Sequence, residues 1–466
     1  MTNDTTISTW KPLQYPPLTR ESFLERRCRM ADDVKHRVVV IGGGFGGLYC
    51  VRALARSPVQ VTLIDRRNFH LFQPLLYQVA TGGLSPANIA APLRSILKYQ
   101  RNAKTILADV TGFDIPGKLV LTQDGEKIPF DSLVLATGAG HHYFGHDDWE
   151  QHAPGLKTLE DATEIRRRVL SAFEKAERTE DMALRKRLLT FVVIGGGPTG
   201  VEMAGSISEL ARITMRRDFR AIDPALCRVV LVEGQTRVLP AFHETLSGKA
   251  GEALASLNVE TMLDCHVTAI TADHVAVTSD GSKESKQIDT ETVVWAAGVN
   301  ASPLGKKLAE AIGTGVEVGR AGHVTVNPDC SVPGQPNIFV VGDLASLKGE
   351  NGKPLPGVSP VAMQEGRYVA DLIHRRVNGD SSPGPFKYWD KGSMATIGRS
   401  HAVADLGFIR FSGWLAWMAW LFIHILYLAQ FSNRMLVLFQ WTWNFVTRNR
   451  SARLITGDRA TSELTK

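Results

Sequence analysis

The apolar positions of this chain gather in short, β-branched runs that end on glycine or on a lone acid. Val38-Val39-Val40-Ile41 is the first; Val59 to Ile64, Ser132 to Gly138, Leu189 to Ile194, Arg228 to Val232, Thr292 to Gly298 and Asn337 to Asp343 follow. Continuous apolar runs of this length, without alternation, predict strands buried on both faces, as in a parallel sheet. Helical periodicity fills the intervals: Leu48 to Arg56, a charged connection over 156–188, and a helix running from Val201 with Glu202 in its first turn. One clear alternation, Lys118 to Pro129, predicts a hairpin around Asp124-Gly125. Strand, helix and strand repeated in this order predict an α/β fold.

The pattern changes near the C-terminus. Phe411 to Asn433 is 23 residues without Asp, Glu, Lys or Arg, and Met435 to Thr447 is again uncharged. That length could span a bilayer. Ser412, His424, Gln430, Asn433 and Arg434 interrupt it, so the expectation is a pair of helices lying in a membrane interface. A single span and a buried core helix are the alternatives. Five of the nine tryptophans lie here (Trp414, Trp417, Trp420, Trp441 and Trp443), where a membrane interface would place them.

The joints between strands and helices carry the chemistry. Gly42-Gly43-Gly44-Phe45-Gly46-Gly47 fits G-x-G-x-x-G directly after a strand, and the next strand closes on Asp65, 23 positions after Gly42. Gly42 allows the turn, Gly44 lets the backbone approach a pyrophosphate, and Gly47 lets the helix pack on the sheet. The helix N-terminus faces the phosphates, and the acid binds ribose hydroxyls. The layout recurs: Gly195-Gly196-Gly197-Pro198-Thr199-Gly200 follows a strand, and the next strand closes on Glu233. Its gap of 38 positions requires an extended helix or loop. Thr137-Gly138 and Ala297-Gly298 end the matching third strands, where small residues admit a nucleotide. A duplicated motif in a strand–helix–strand context predicts two Rossmann-like dinucleotide-binding domains. Gly342-Asp343 ends a further strand, and Asp343 is read as a contact to the ribityl chain of FAD or as a helix N-cap.

Composition narrows the setting. The chain has 466 residues, room for two or three domains, and a net charge of +6. From Phe431 onward there are six Lys/Arg against two Asp/Glu, which suits an anionic lipid surface and not nucleic acid. Arg448, Arg450 and Arg453 are expected to meet the headgroups. The five cysteines, Cys28, Cys50, Cys227, Cys265 and Cys330, include no C-x-x-C pair. That argues against a zinc site and structural disulfides, and no metal is expected. The aromatic segment Phe69 to Gly82 has no cysteine, which argues against a disulfide reductase. Residues 1–36 form a polar extension without a signal-like apolar stretch, and Met30 is an alternative start.

In combination these motifs resemble the type II NADH dehydrogenases. The resemblance is carried by the first glycine motif, Phe69 to Ala80, Gly196 to Glu202, Val340 to Asp343, Met394 to Arg399 and the tail Ala452 to Gly457. It implies a non-pumping NADH:quinone oxidoreductase with FAD, dimeric and attached to the cytoplasmic face of the inner (plasma) membrane. Its implied division is an FAD-binding domain over 37–155 and 301–395, an NADH-binding domain over 156–300, a membrane-anchoring region over 396–457 and a tail over 458–466. FAD would meet Gly42, Gly44, Gly46, Gly47, Asp65, Val110, Thr137, Gly138, Gly342, Asp343 and Ala362. NADH would meet Gly195, Gly197, Gly200, Glu233, Ala297 and Gly298.

The family's Ala-Gln in the quinone region is replaced here by Ser359-Pro360, which leaves Gln364, Lys391 and Met394 as quinone candidates. Glu202 is expected to position nicotinamide or relay protons, as its counterpart in the family does. A cut before Phe408 is expected to leave an intact flavoprotein. The rivals are a sulfide:quinone oxidoreductase, for which Cys330 has no evident partner, and a flavin-bearing NADH sensor with little turnover.

Overall fold

A computed structural model describes residues 35–456 apart from 283, 351, 448, 449 and 451. Residues 1–34 of the polar extension, Met30 among them, with Arg448 and the tail 458–466, therefore lie outside the described residues, and His36, read as the end of the extension, opens the first strand.

Two parallel sheets organise the chain. The larger has six strands in the order Ser331–Val332, Gln335–Val340, Ser132–Leu135, His36–Ile41, Val59–Asp65 and Ala103–Leu107. All its neighbours pair in parallel except the first two. Val38 to Ile41 are at most 3% exposed, as a doubly covered strand requires. The smaller sheet has four parallel strands, Val259–Met262, Arg228–Val232, Thr190–Ile194 and Thr292–Trp295. The chain enters and leaves it side by side, for Ala139–His141 pairs antiparallel with Val299–Ala301. The hairpin expected around Asp124-Gly125 forms between Leu119–Thr122 and Lys127–Pro129.

Element boundaries differ from the sequence reading in instructive ways. The first glycine-loop helix is Phe45–Ala53, three residues earlier than its apolar periodicity begins, because Gly46 and Gly47 occupy its first turn. The second is Pro198–Glu209, so Glu202 sits in its second turn and not its first. The helix-end dipole therefore does not account for that acid. A π-helical turn, Leu210–Thr214, and a short helix, Pro224–Leu226, take up the long gap to Glu233. Phe69 to Ala80 is a short strand, a tight turn and a helix, Leu76–Ala80.

The C-terminal apolar stretch folds as two helices, Trp414–Tyr427 and Phe431–Thr447, broken at Leu428 to Gln430. No described helix is long and apolar enough to cross a membrane. One face of each helix packs inward through Ala416, Trp420 and Val437. The division expected between residues 395 and 396 cuts the strand Ser393–Ile397, which pairs with His401–Asp405.

Candidate active site

The two glycine loops have the same construction. Gly42 and Gly195 adopt φ of +102° and +106°, open to glycine and strained for other residues. A Cβ on Gly47 would overlap the Gly42 carbonyl oxygen, and one on Gly200 would overlap that of Gly195. Gly44 and Gly197 face open space. Tight turn, open approach and close packing thus fall on the three positions assigned to them.

The acids that close the second strands turn back into these loops. Asp65 accepts the backbone N–H of Gly43 and, at 2.6 Å, that of Arg67. Glu233 accepts the Gly196 N–H and, at 2.8 Å, the Gln235 N–H. A third carboxylate repeats the device: Glu365 accepts the Gly342 N–H at 2.6 Å. Burial pushes the Asp65 carboxyl up, with the two N–H donors opposing it. Burial pushes Glu365 up to about 8.

These loops open onto one cavity of about 1340 Å³. Its walls include Gly42, Gly44, Gly46, Asp65, Val110, Thr137, Gly138, Gly342, Asp343 and Ala362 from the larger sheet's unit. Gly47 lies behind it as a packing residue. The second unit contributes Pro198, Thr199 and Glu202, and the C-terminal region contributes Lys391, Met394, His424 and Tyr427. Gly195, Gly197, Gly200, Glu233, Ala297 and Gly298 stand on the second unit outside these walls. Gln364 does not line the cavity. Its amide donates to the Trp389 carbonyl and accepts the Trp389 N–H, both at 3.0 Å, so its polar atoms are already engaged. Ser359 and Pro360 do line it. Pro360 sits in the first turn of the helix Ser359–Asn378, where a missing N–H costs nothing.

The cavity fits a dinucleotide cofactor such as FAD. Thr137 Oγ1 lines its wall, buried and without a partner among the described residues. A Cβ on Gly44 or Gly138 would meet nothing within 4 Å. An orphaned hydroxyl beside open glycine backbone leaves both hydrogen-bonding capacity and space for a polar ligand.

Glu202 lies deeper. Its remaining surface faces the cavity, and burial lifts its carboxyl to about 8. The Thr396 N–H approaches it at 3.5 Å, a weak contact. The Thr396 hydroxyl is 3.1 Å from that of Tyr77, which also accepts from Gln78 Nε2 at 2.9 Å. His424 Nδ1 is 2.7 Å from the Trp420 carbonyl, so it carries the proton and donates there. Burial lowers the His424 ring to about 4, which leaves it neutral at pH 7 with Nε2 as an acceptor. Lys391 donates to the Tyr427 hydroxyl at 2.9 Å. Tyr77 and Thr396 fall within the segments that carry the family resemblance, and His424 and Tyr427 are the titratable groups of the uncharged stretch, but the sequence assigns none of them, nor Glu365, a role.

Two residues of the basic tail, Arg450 and Arg453, are engaged within the chain. Arg450 donates to the carbonyls of Thr81 and Ser206, at 3.3 and 3.1 Å, and pairs with buried Glu209 at 3.1 Å. Arg453 pairs with Asp218. Arg450 is thus spent inside the protein and Arg453 on a pair at the surface, which corrects for these two the expectation that they meet headgroups.

Residues 36–366 match the family model described as pyridine nucleotide-disulphide oxidoreductase, and residues 390–449 match that of the NDH2 C-terminal domain. The type II NADH:quinone oxidoreductase Ndh of Mycobacterium tuberculosis is 46% identical over 432 residues, covering 91% of this chain and 91% of its own. Among solved structures, NDH2 from Plasmodium falciparum in complex with RYL-552 superposes with a TM-score of 0.82 at 20% identity, covering 91% of this chain and all of that one (100%). The sulfide:quinone oxidoreductase of Aquifex aeolicus gives a TM-score of 0.67 at 19% identity, covering 92% and 94%. At those identities the two structures speak to the fold alone.

Proposed function

The chain belongs to the type II NADH:quinone oxidoreductases, and from that membership we propose a residue-level division of labour in and around its large cavity. The enzyme passes a hydride from NADH to FAD and two electrons on to a quinone, without pumping protons. FAD, when bound, accepts the hydride and hands on the electrons. This chain's residues bind, orient and supply protons.

The glycine loop at Gly42 and Gly44, with Asp65, Val110, Thr137, Gly138, Gly342, Asp343 and Ala362, holds FAD. Asp65 and Glu365 fix the backbone N–H groups of the loops that cradle it. The loop at Gly195, Gly197 and Gly200, with Glu233, Ala297 and Gly298, holds NADH. A carboxylate at the end of the strand accepts ribose hydroxyls and disfavours a 2′-phosphate. Arg237 does not counter it, for its guanidinium is turned onto the Pro240 carbonyl at 3.1 Å. Hydride transfer asks for close, aligned contact more than acid–base help. Glu202, protonated at neutral pH by its burial, sits where it can give up a proton. The quinone head is read to approach Lys391, Tyr427, His424 and Met394, and Gln364 shapes that wall by holding the Trp389 backbone.

The observation that carries this reading is the single cavity onto which both glycine units and the C-terminal helices open. It also weighs against the sulfide rival, because none of the four described cysteines lines it. The exposed faces of the helix pair, through Leu415, Phe422 and Leu426 on one and Phe439, Trp443 and Val446 on the other, support attachment to a membrane surface, and its cytoplasmic face in the plasma membrane is proposed on family grounds. A homodimer is proposed on family grounds, and the C-terminal unit is taken to begin near residue 390.

The test is a flavin spectrum followed through one cycle. NADH should bleach the purified protein, and a soluble quinone should restore it, with sustained turnover. Reduction once without recovery would favour the sensor reading.

A further inference from the structure

A second, smaller chamber of about 90 Å³ lies beside the flavin cavity, under the C-terminal helices. Tyr77 stands in the wall between the two, for it lines both. The floor of the chamber is Ser206 with the buried pair Glu209–Arg450. Its roof is Trp420, Trp441 and Asn444 from the helix pair. Its rim is half-buried Thr214, Arg399, Trp417 and Leu421. Thr214 ends the π-helical turn, a local rearrangement common beside functional sites.

Two polar atoms in the roof are unserved. Trp420 is 2% exposed, and its Nε1–H has no partner among the described residues. Asn444 Oδ1 is likewise buried and unpaired, while its Nδ2 donates to the Gly83 carbonyl at 3.1 Å and so fixes the amide's orientation. The neighbouring Trp441 Nε1–H, by contrast, donates to Gln78 Oε1 at 2.7 Å. A buried donor and a buried acceptor left unpaired on residues that line one chamber cost several kcal/mol unless water serves them. At about 30 Å³ per water, the chamber has room for about three.

The reaction needs such a reservoir. NADH delivers two electrons and one proton as a hydride, and forming a quinol takes two electrons and two protons. One proton per turnover must therefore come from solution: NADH + H⁺ + quinone gives NAD⁺ + quinol. We propose that the chamber is the water-filled inlet for that proton, entering at Thr214 and Arg399 and passing to the flavin cavity through the hydroxyls of Tyr77 and Thr396 toward Glu202. Tyr77 and Thr396 can hand a proton along, because either hydroxyl can donate in their 3.1 Å contact. The inlet deepens the oxidoreductase reading and rests on it.

The first test needs no turnover. In the holoenzyme labelled with ¹⁵N-indole tryptophan, the Trp420 Nε1–H, assigned through Trp420→Phe, should exchange with water quickly. Trp441 and Trp295, whose indole N–H groups donate to Gln78 and to the His142 carbonyl, serve as protected references. The second test plugs the mouth. Thr214→Phe should slow reoxidation of the reduced protein by quinone severalfold and raise its solvent isotope effect, with flavin reduction by NADH unchanged. A Trp420 proton as protected as the two references overturns the inlet, and so does a plug without effect on reoxidation. Failure of NADH to reduce the wild-type flavin would instead sink the oxidoreductase reading, and leaves the indole measurement to judge the chamber.

Discussion

Four carboxylates show how one residue type is put to two uses. Asp65, Glu233 and Glu365 each hold a glycine-loop N–H. Glu202 has only the long contact to Thr396. Charge-assisted bonds to backbone donors favour the ionised form, and burial without them favours the neutral one. Glu202 and Glu365 both end near 8, against an ordinary value of 4.5, since at Glu365 a single N–H is outweighed by burial. At these two acids the folded state binds more protons than the unfolded chain between pH 4.5 and 8, so their contribution to stability falls as pH rises across that window. His70 and His424, both held near 4 by burial, contribute with the opposite sign up to pH 6.5 and leave the fall clearest between pH 6.5 and 8. Each group contributes at most about 1.4 kcal/mol per pH unit to that slope. Glu202→Gln should remove one group's share of that fall, which thermal unfolding of the FAD-loaded protein at several pH values between 6.5 and 8 measures. An unchanged slope would mean that Glu202 ionises as an exposed acid does. Asp65 and Glu233 were legible in the sequence because each closes a strand at a set distance from its glycines. Tyr77 and Thr396 fall within segments that carry the resemblance, yet their contact was not legible, because they meet across 319 positions.

At the scale of elements, the duplicated strand, glycine loop and helix were readable because backbone geometry dictates their composition. Strand burial shows as β-branched runs, and each glycine answers a steric demand of the turn. Helix starts were misplaced because periodicity begins only where side chains do, after the glycines of the first turn. The long gap before Glu233 was noticed, yet its π-helical turn has no sequence signature. The assignment of one cofactor to each unit follows from this symmetry and can be separated experimentally. Gly47→Ala and Gly200→Ala each place a methyl on a backbone carbonyl that cannot move without shifting the turn. Gly47→Ala should lose most of the bound flavin. Gly200→Ala should keep its flavin but be reduced by NADH at least tenfold more slowly, at a loss of about 1.4 kcal/mol or more in transition-state binding. Flavin content and rapid-mixing reduction read the two effects apart; the reverse pattern would exchange the cofactors between the units.

At the scale of the molecule, the C-terminal region is both a wall of the active site and its outer face. The sequence showed an uncharged, tryptophan-rich tail but not which side of each helix turns inward, because apolar residues occupy both. Trp420 and Val437 complete the core, and His424 and Tyr427 line the cavity. Arg450 neutralises Glu209, and the Ala452 N–H donates to the Gly82 carbonyl at 3.2 Å. A cut before Phe408 would therefore leave a buried acid unpaired and open the flavin site, contrary to the expectation of an intact flavoprotein. Membrane attachment is better tested on the outer face alone. Phe422, Phe439 and Trp443 are 62%, 70% and 58% exposed. Replacing all three by Gln should spare flavin content while abolishing cosedimentation with vesicles. The helices have about 14 and 17 residues, or roughly 21 and 25 Å at 1.5 Å per residue, short of a hydrocarbon core of about 30 Å. They therefore suit a position in the interface, held by apolar burial. Arg450 and Arg453 are paired within the chain and so add little to an electrostatic hold. Wild-type protein should stay on vesicles at roughly 1 M salt, where the screening length is about 3 Å. Release by salt would show that charge holds it, and would move the attachment site away from these helices.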